Sequence, residues 1–278
     1  MAFEVQKGTL YVVPTPIGNL ADITERALTV LRAVDFVAAE DTRVSGKLLK
    51  LYDIEAGFVS YHEHNKVVQG EKIVARLANG ESGAIVTDAG TPAISDPGEA
   101  LVALCRERGI PVVALPGACA FVTALSGSGF ASRRFSFEGF LPTDKKERTE
   151  LLEGYKNDPK TVILYEAPHR VAETVRVLYE ALGDRRVCAA RELTELNEEY
   201  FSGTLSGLRE HFDIQEPRGE YVLILEGAAV EQSDFFEEMT VEQHVAFYEK
   251  QGLSRMDAIK ACARDRHVPK NAIYKQLV

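Results

Sequence analysis

Seven short segments concentrate the groups that can bind or react in this chain. Pro14-Thr15-Pro16-Ile17-Gly18-Asn19 holds two prolines and a glycine, which stiffen a turn and let a ligand approach the backbone closely. Asp88-Ala89-Gly90-Thr91-Pro92-Ala93-Ile94-Ser95-Asp96-Pro97-Gly98 is rich in Gly, Pro and Asp. It is too long for a plain strand-to-helix connection, which takes about two to six residues, and long ordered loops of this kind usually carry function. Pro116-Gly117-Ala118-Cys119-Ala120 offers only small side chains at a helix start, which suits contact through the backbone. Glu40-Asp41-Thr42-Arg43, Tyr61-His62-Glu63-His64-Asn65, Tyr165-Glu166-Ala167-Pro168-His169-Arg170 and Arg191-Glu192-Leu193-Thr194 are charged or hydrogen-bonding throughout. A structural turn would need only Gly, Asn or Asp. His62 and His64 with nearby acids could ligate a metal, but i, i+2 spacing in a loop is unspecific and no cysteine joins them, so no metal site is expected.

The elements that must position these loops read as alternating strands and helices. β-branched runs at Thr9–Val13, Asp35–Ala38, Phe58–Tyr61, Ala84–Thr87 and Val112–Leu115 are separated by segments of helical period. Those segments are Thr24–Ala33, Val44–Leu51, Val67–Leu77 and one near Glu99–Glu107. Strands spaced by one helix each imply parallel pairing with right-handed crossovers. The chemistry-bearing loops then fall at the carboxyl ends of strands, where ligands bind in such sheets. Ser126-Gly127-Ser128-Gly129 reads as a turn or hinge before the second half. There, strands are expected at Phe135–Phe140, Thr161–Tyr165, Arg186–Ala190, Glu199–Thr204 and Tyr221–Leu225, with helices over Asp144–Tyr155 and Val171–Leu182. Two of these strands lie too close for an intervening helix, so the second sheet should be mixed. From about Thr240 the chain reads as short helices, one around Ala258–Ala263 and another starting at Pro269, in a helix-turn-helix-like arrangement. The expected organisation is therefore a parallel-sheet α/β domain over 1–115, a mixed-sheet α/β domain over 116–230 and a small helical extension over 231–278.

At 278 residues with 45% apolar and 27% charged side chains, the chain can bury two cores. No apolar run approaches the roughly 20 residues that span a bilayer, and Met1–Gly8 lacks a signal-peptide layout, so a cytoplasmic protein with no membrane partner is expected. Cys105, Cys119, Cys188 and Cys262 are scattered, which suggests reduced thiols rather than a disulfide frame. A net charge of −10 argues against indiscriminate nucleic-acid binding, DNA included, although local charge decides docking. Locally, Arg255, Lys260, Arg264, Arg266, Lys270 and Lys275 outnumber Asp257 and Asp265. That run is either a solvated helix face or a contact for RNA.

These loops, in this order, resemble those of the tetrapyrrole methylase family. The motifs run from Leu10-Tyr11-Val12-Val13-Pro14-Thr15-Pro16-Ile17-Gly18-Asn19-Leu20 through Asp88–Gly98 and Tyr165–Arg170 to Gly203-Thr204-Leu205. The resemblance covers roughly residues 8–227, with a tail like the C-terminal extension of one group. That group methylates a cytidine ribose of 16S ribosomal RNA in the decoding centre. The resemblance implies two α/β domains of tetrapyrrole-methylase type, S-adenosylmethionine as cofactor in the cleft between them, a homodimer, and the small ribosomal subunit as partner. By motif alignment it places Pro16, Ile17, Gly18, Ala89, Gly90, Thr91, Ile94, Ser95, Cys119, Ala120, Glu166, Leu193 and Tyr221 at the cofactor. One departure is Glu195, where the group usually carries a lysine.

If the acceptor is a ribose 2′-hydroxyl, a general base within about 2.6–3.2 Å of its proton would help. Glu166, His169 and Asp88 are the candidates for that catalytic role. Glu40, Asp41, Arg43, His62 and Asn65 are candidates to orient the nucleotide. Arg170 and Arg191 are candidates to hold phosphates, which a guanidinium fork fits well. Two other functions stay open: a methyltransferase of the same fold acting on a tetrapyrrole or other small molecule, and a non-catalytic RNA-binding assembly factor.

Overall fold

The computed structural model describes residues 4–229, 236 and 239–277. The chain divides into two compact units, Met1–Ala228 and Ala229–Val278. The first unit contains both sheets. The boundary expected at 230–231 lies outside the described residues.

In the first sheet, β1 (Leu10–Val12), β2 (Phe36–Ala39), β3 (Phe58–Ser60), β4 (Gly83–Val86) and β5 (Val112–Ala114) are all parallel, in the order β3-β2-β4-β1-β5. Helices α1 (Glu25–Ala33), α2 (Thr42–Leu51), α3 (Lys66–Ala78) and α4 (Gly98–Glu107) connect them. Alternate strand residues point to opposite faces, and both faces are covered. Leu10, Val12, Phe36, Ala38 and Ile85 pack on Ile73, Leu77 and Leu101 of α3 and α4. Tyr11, Val13, Val37, Ala39 and Val86 pack on Ala27, Val30, Leu31 and Leu49 of α1 and α2. Burial on both faces explains why these strands read as continuous β-branched runs rather than alternating ones.

The second sheet comprises β6 (Phe135–Phe140), β7 (Thr161–Glu166), β8 (Arg186–Arg191), β9 (Glu199–Thr204) and β10 (Tyr221–Leu225), in the order β6-β7-β10-β8-β9. Only β6 and β7 pair in parallel, so the sheet is mixed, as the spacing of its strands suggests. Helices α6 (Lys145–Tyr155), α7 (Pro168–Leu182) and α8 (Leu205–Ile214) cover one face through Leu152, Val171, Val175, Leu178, Leu205 and Leu208. Helix α5 (Ala120–Ser128) covers the other face, with Ala124 and Leu125 against Ile163, Cys188, Ala190 and Ile224.

Two elements differ from the sequence-based expectation. Ser126-Gly127-Ser128 is the last turn of α5 rather than a hinge, and Gly129, at φ 72°, ends the helix in the left-handed conformation that glycine tolerates. Helix α8 was not expected, because Ser206 and Gly207 in its first turn read as loop residues. Its start is held by the Thr204 hydroxyl, which accepts from Gly207 N at 3.3 Å.

In the second unit, α9 (Val241–Lys250), α10 (Arg255–Asp265) and α11 (Lys270–Tyr274) pack around Val245, Ala258, Ile259, Cys262 and Ile273. Thr240 and Gln243 close a capping box at the start of α9. His244 is fully buried: its Nδ1 accepts from Arg266 Nε at 3.1 Å and its Nε2 lies 3.2 Å from Asp265 Oδ2. Arginine can only donate, so Nδ1 is unprotonated and Nε2 carries the hydrogen. In the basic run, Arg255 pairs with Glu249, Lys260 with Asp257 and Arg264 with Asp265.

Candidate active site

The loops after β1, β4 and β5 bound a cavity of about 570 Å³ together with the ends of β7, β8 and β10. That size suits a drug-sized ligand, for which pockets run about 300–1,000 Å³. Backbone geometry makes the loops rigid. Thr15 N donates to Gly90 O at 2.9 Å and Gly90 N donates to Thr15 O at 3.1 Å, an isolated antiparallel bridge between the first and second loops. Gly90 has φ 84°, which a side chain would strain. The Thr91 hydroxyl donates to Ala118 O at 2.7 Å, tying the second loop to the third. Gly117 lies so close to Pro14 that a Cβ there would overlap the Pro14 ring.

The long second loop is folded around Asp96. Its carboxylate accepts from Ala93 N (3.0 Å), Ile94 N (3.3 Å) and Gly98 N (2.7 Å). Ala93 and Ser95 adopt φ 65° and 64°, and Glu192 and Thr194 after β8 adopt φ 48° and 68°. Such backbone costs about 1–3 kcal/mol per residue and gathers at functional sites. The loop after β8 meets the first loop: Asn19 N donates to the Thr194 hydroxyl at 3.0 Å, and Glu195 and Thr194 pack on Gly18.

Of the residues assigned to the cofactor by resemblance, Pro16, Ile17, Gly18, Ala89, Gly90, Thr91, Ile94, Cys119, Ala120, Glu166, Leu193 and Tyr221 line the cavity. Ser95 does not; it faces Gly139 of β6. Cys119 is the residue before α5, and burial pushes its thiol up. Tyr165 accepts from Phe121 N at 3.1 Å, and burial pushes its phenol up.

The three candidate bases sit in different surroundings. Asp88 lines the cavity and is exposed; its Oδ1 accepts from Asp41 N at 3.3 Å, and Oδ2 has no hydrogen-bond partner among the described residues. Glu166 also lines the cavity but is 1% exposed and fully engaged. Its Oε1 accepts from Ala167 N at 3.0 Å and lies 3.3 Å from Arg170 Nε, while Oε2 accepts from Thr174 Oγ1 at 2.6 Å. His169 lies outside the lining, exposed on the first turn of α7.

The candidate nucleotide contacts lie off the cavity. Glu40, Asp41 and Arg43 follow β2, where Arg43 forks onto Asp41 at 2.7 and 3.1 Å. Burial, then the charges of Asp88 and Asp96, raise the Glu40 carboxyl above its ordinary value. His62 and Asn65 follow β3, with Asn65 accepting from His62 N at 2.9 Å and donating to Ser60 O at 3.1 Å. Arg170 and Arg191, the candidates to hold phosphates, also lie off the cavity lining. Arg170 donates to Leu141 O at 2.8 Å and faces Glu166, and Arg191 forks onto Glu199 at 2.7 Å, so both guanidinium groups are turned to internal partners. Among the described residues, no group of three or more His, Cys, Asp or Glu could hold a metal.

Sequence reasoning missed several lining residues, namely Leu20, Val44, Leu48, Phe140, Glu192 and Glu220. Val44 and Leu48 share one face of α2 at i, i+4, an apolar signal that reads equally as core.

A parallel α/β sheet followed by a mixed one, with loops at strand ends around a cavity, defines a class, and comparison places the chain within it. Residues 9–209 match the profile of the Tetrapyrrole (Corrin/Porphyrin) Methylases, and the chain belongs to this family. It is 46% identical over 271 residues to a protein of Bacillus subtilis (strain 168) named Ribosomal RNA small subunit methyltransferase I, covering 96% of this chain and 93% of that one. A protein of the same name from Escherichia coli O157:H7 is 44% identical over 272 residues, covering 97% and 94%. Among solved structures, a diphthine synthase aligns with TM-score 0.64 at 13% identity, covering 79% of this chain and 90% of that one. A uroporphyrin III C-methyl transferase from Thermus thermophilus aligns with TM-score 0.57 at 17% identity, covering 78% and 97%. These two show the shared fold.

Proposed function

We propose that this protein is an S-adenosylmethionine-dependent ribosomal RNA methyltransferase acting on the 2′-hydroxyl of a cytidine in 16S RNA of the small subunit. The observation that carries the reading is the cavity itself: small residues and backbone groups of three rigid loops surround a space of ligand size with no basic lining residue. That lining, with five carboxylates and no Lys or Arg among the described residues, fits a phosphate-free, cationic donor better than a dinucleotide, whose phosphates the carboxylates would repel. The names of the relatives supply the RNA acceptor.

When bound, S-adenosylmethionine supplies a methyl group on a positively charged sulfur for in-line displacement. The chain's task is then mostly orientation, which can supply about 7–11 kcal/mol of the barrier. Pro16 to Gly18, Ala89 to Thr91 and Cys119 to Ala120 hold the donor. Asp88 takes the proton of the acceptor hydroxyl, because it lines the cavity beside Asp41, on the side of the candidate nucleotide contacts. Glu166 is a positioning residue: it fixes the start of α7 and the end of β7 beside the donor. The acceptor approaches past the ends of β2 and β3, where Arg43 is 86% exposed and can swing from Asp41 to a phosphate. The protein acts in the cytoplasm as a homodimer on the assembled subunit, with the basic helices of the second unit touching RNA.

Labelled S-adenosylmethionine and isolated small subunits test this reading, followed by nuclease mapping. Label on one cytidine ribose is the expected result. Unlabelled subunits alongside intact donor binding would refute it and favour a small-molecule acceptor.

A further inference from the structure

The ionisable lining of the cavity has one sign: Asp88, Glu166, Glu192, Glu195 and Glu220, with no Lys, Arg or His. Arg170 already compensates Glu166. The other four carboxylates have no such partner among the described residues, and the neighbouring arginines are turned elsewhere, Arg191 to Glu199 and Arg218 to Glu216. Glu192, Glu195 and Glu220 stand together: burial, then the charge and hydrogen bond of Glu192, then the charge of Glu220, push the Glu195 carboxyl up. These groups repel one another until a cation arrives among them.

The substrate and product of methyl transfer differ by one charge. The donor has a sulfonium, and the product has a neutral thioether in the same place. Their amino-acid ends are identical zwitterions and cancel in any comparison. Resting on the donor-site reading above, the geometry points to a charge filter: the wall of Glu192, Glu195 and Glu220, with Asp88, makes the cavity favour the sulfonium donor over the thioether product. Loss of the positive charge then loosens the product and frees the cavity for the next donor. Each partly exposed carboxylate contributes about 1.5- to 5-fold, and several acting on one charge make a donor preference of about tenfold.

Calorimetric titration of the full chain tests this with three ligands: S-adenosylmethionine, S-adenosylhomocysteine and sinefungin, whose amine restores a cation without a transferable methyl. Donor and sinefungin should both bind about tenfold more tightly than S-adenosylhomocysteine, with the preference shrinking at high salt. Glu195→Gln and Glu220→Gln, both at exposed positions, should each lower the preference by about 1.5- to 5-fold while leaving S-adenosylhomocysteine binding unchanged. Equal or tighter binding of S-adenosylhomocysteine by the unaltered protein overturns the filter and leaves the donor site standing. Variants that weaken all three ligands alike also overturn it, since that is loss of shape rather than charge. Failure of all three to bind overturns the donor-site reading, and the filter with it.

Discussion

Replacing Gly117 by alanine places one methyl group where the structure has no room for it. The added Cβ would overlap Pro14 Cβ and lie 2.8 Å from Pro14 Cγ. Pro14 cannot rotate away, because its ring closes on the backbone and fixes φ near −65°. Val13 before it is fully buried in the first sheet. Relief must come from moving the third loop away from the first, and overpacking of this kind costs about 1–3 kcal/mol. For a unit of this size the melting temperature falls about 2–4 °C per kcal/mol, so a drop of roughly 2–12 °C is expected. The same shift opens the cavity between Pro16 and Cys119, so donor affinity should fall about tenfold or more. Differential scanning fluorimetry and calorimetric titration read the two effects. An alanine variant that melts within a degree of the parent and binds donor equally would refute the claim that these loops are locked together.

Asp88→Asn should lower kcat by about 10²- to 10⁴-fold while donor affinity falls only by about 1.5- to 5-fold, measured by methyl transfer to small subunits and by titration. Thr174→Val removes the hydroxyl that donates to buried Glu166 and should destabilise the first unit by about 1.5–3 kcal/mol in urea unfolding. In the second unit, burial lowers the His244 pKa below 6.5, with Arg266 opposing and Asp265 favouring the proton. The folded state therefore prefers neutral His244; its contribution is complete above pH 6.5 and is lost as the pH falls from there through the folded value. Protection factors of the α9 and α10 amides, corrected for the pH dependence of intrinsic exchange, should fall on going from pH 7.5 to about 5.5, and a His244→Gln variant should show a flatter pH response.

The sheet strands were legible because parallel strands buried on both faces leave dense β-branched runs, as in Phe36–Ala39 and Gly83–Val86. Helix α8 was not, since its buried residues Leu205 and Leu208 give too short a stripe and Ser206-Gly207 mimics a turn. The three loops of the first sheet were legible from their Gly and Pro content, which reports backbone geometry directly. The acidic wall was not. Glu192 and Glu220 are ordinary surface residue types in sequence, and only the antiparallel pairing of β10 with β8, which sets Tyr221 opposite Arg191, brings them together. The ion pairs of Arg170 with Glu166 and of Arg191 with Glu199 were not legible for a related reason: they depend on how a turn and a strand pair place the partners.

The bridge between Thr15 and Gly90 is built wholly from main-chain atoms. Beyond the glycine that φ 84° favours at Gly90, its donors and acceptors do not depend on the side chains at the loop tips. Side chains at the tips of these loops can therefore be exchanged without dismantling the frame that presents them. A lineage can retool what such a cavity recognises by drifting at Ile17, Ala89 or Ile94 while the scaffold stays put. That insulation of frame from decoration gives a physical basis for one architecture being shared by enzymes as dissimilar in sequence as a diphthine synthase and a uroporphyrin III C-methyl transferase.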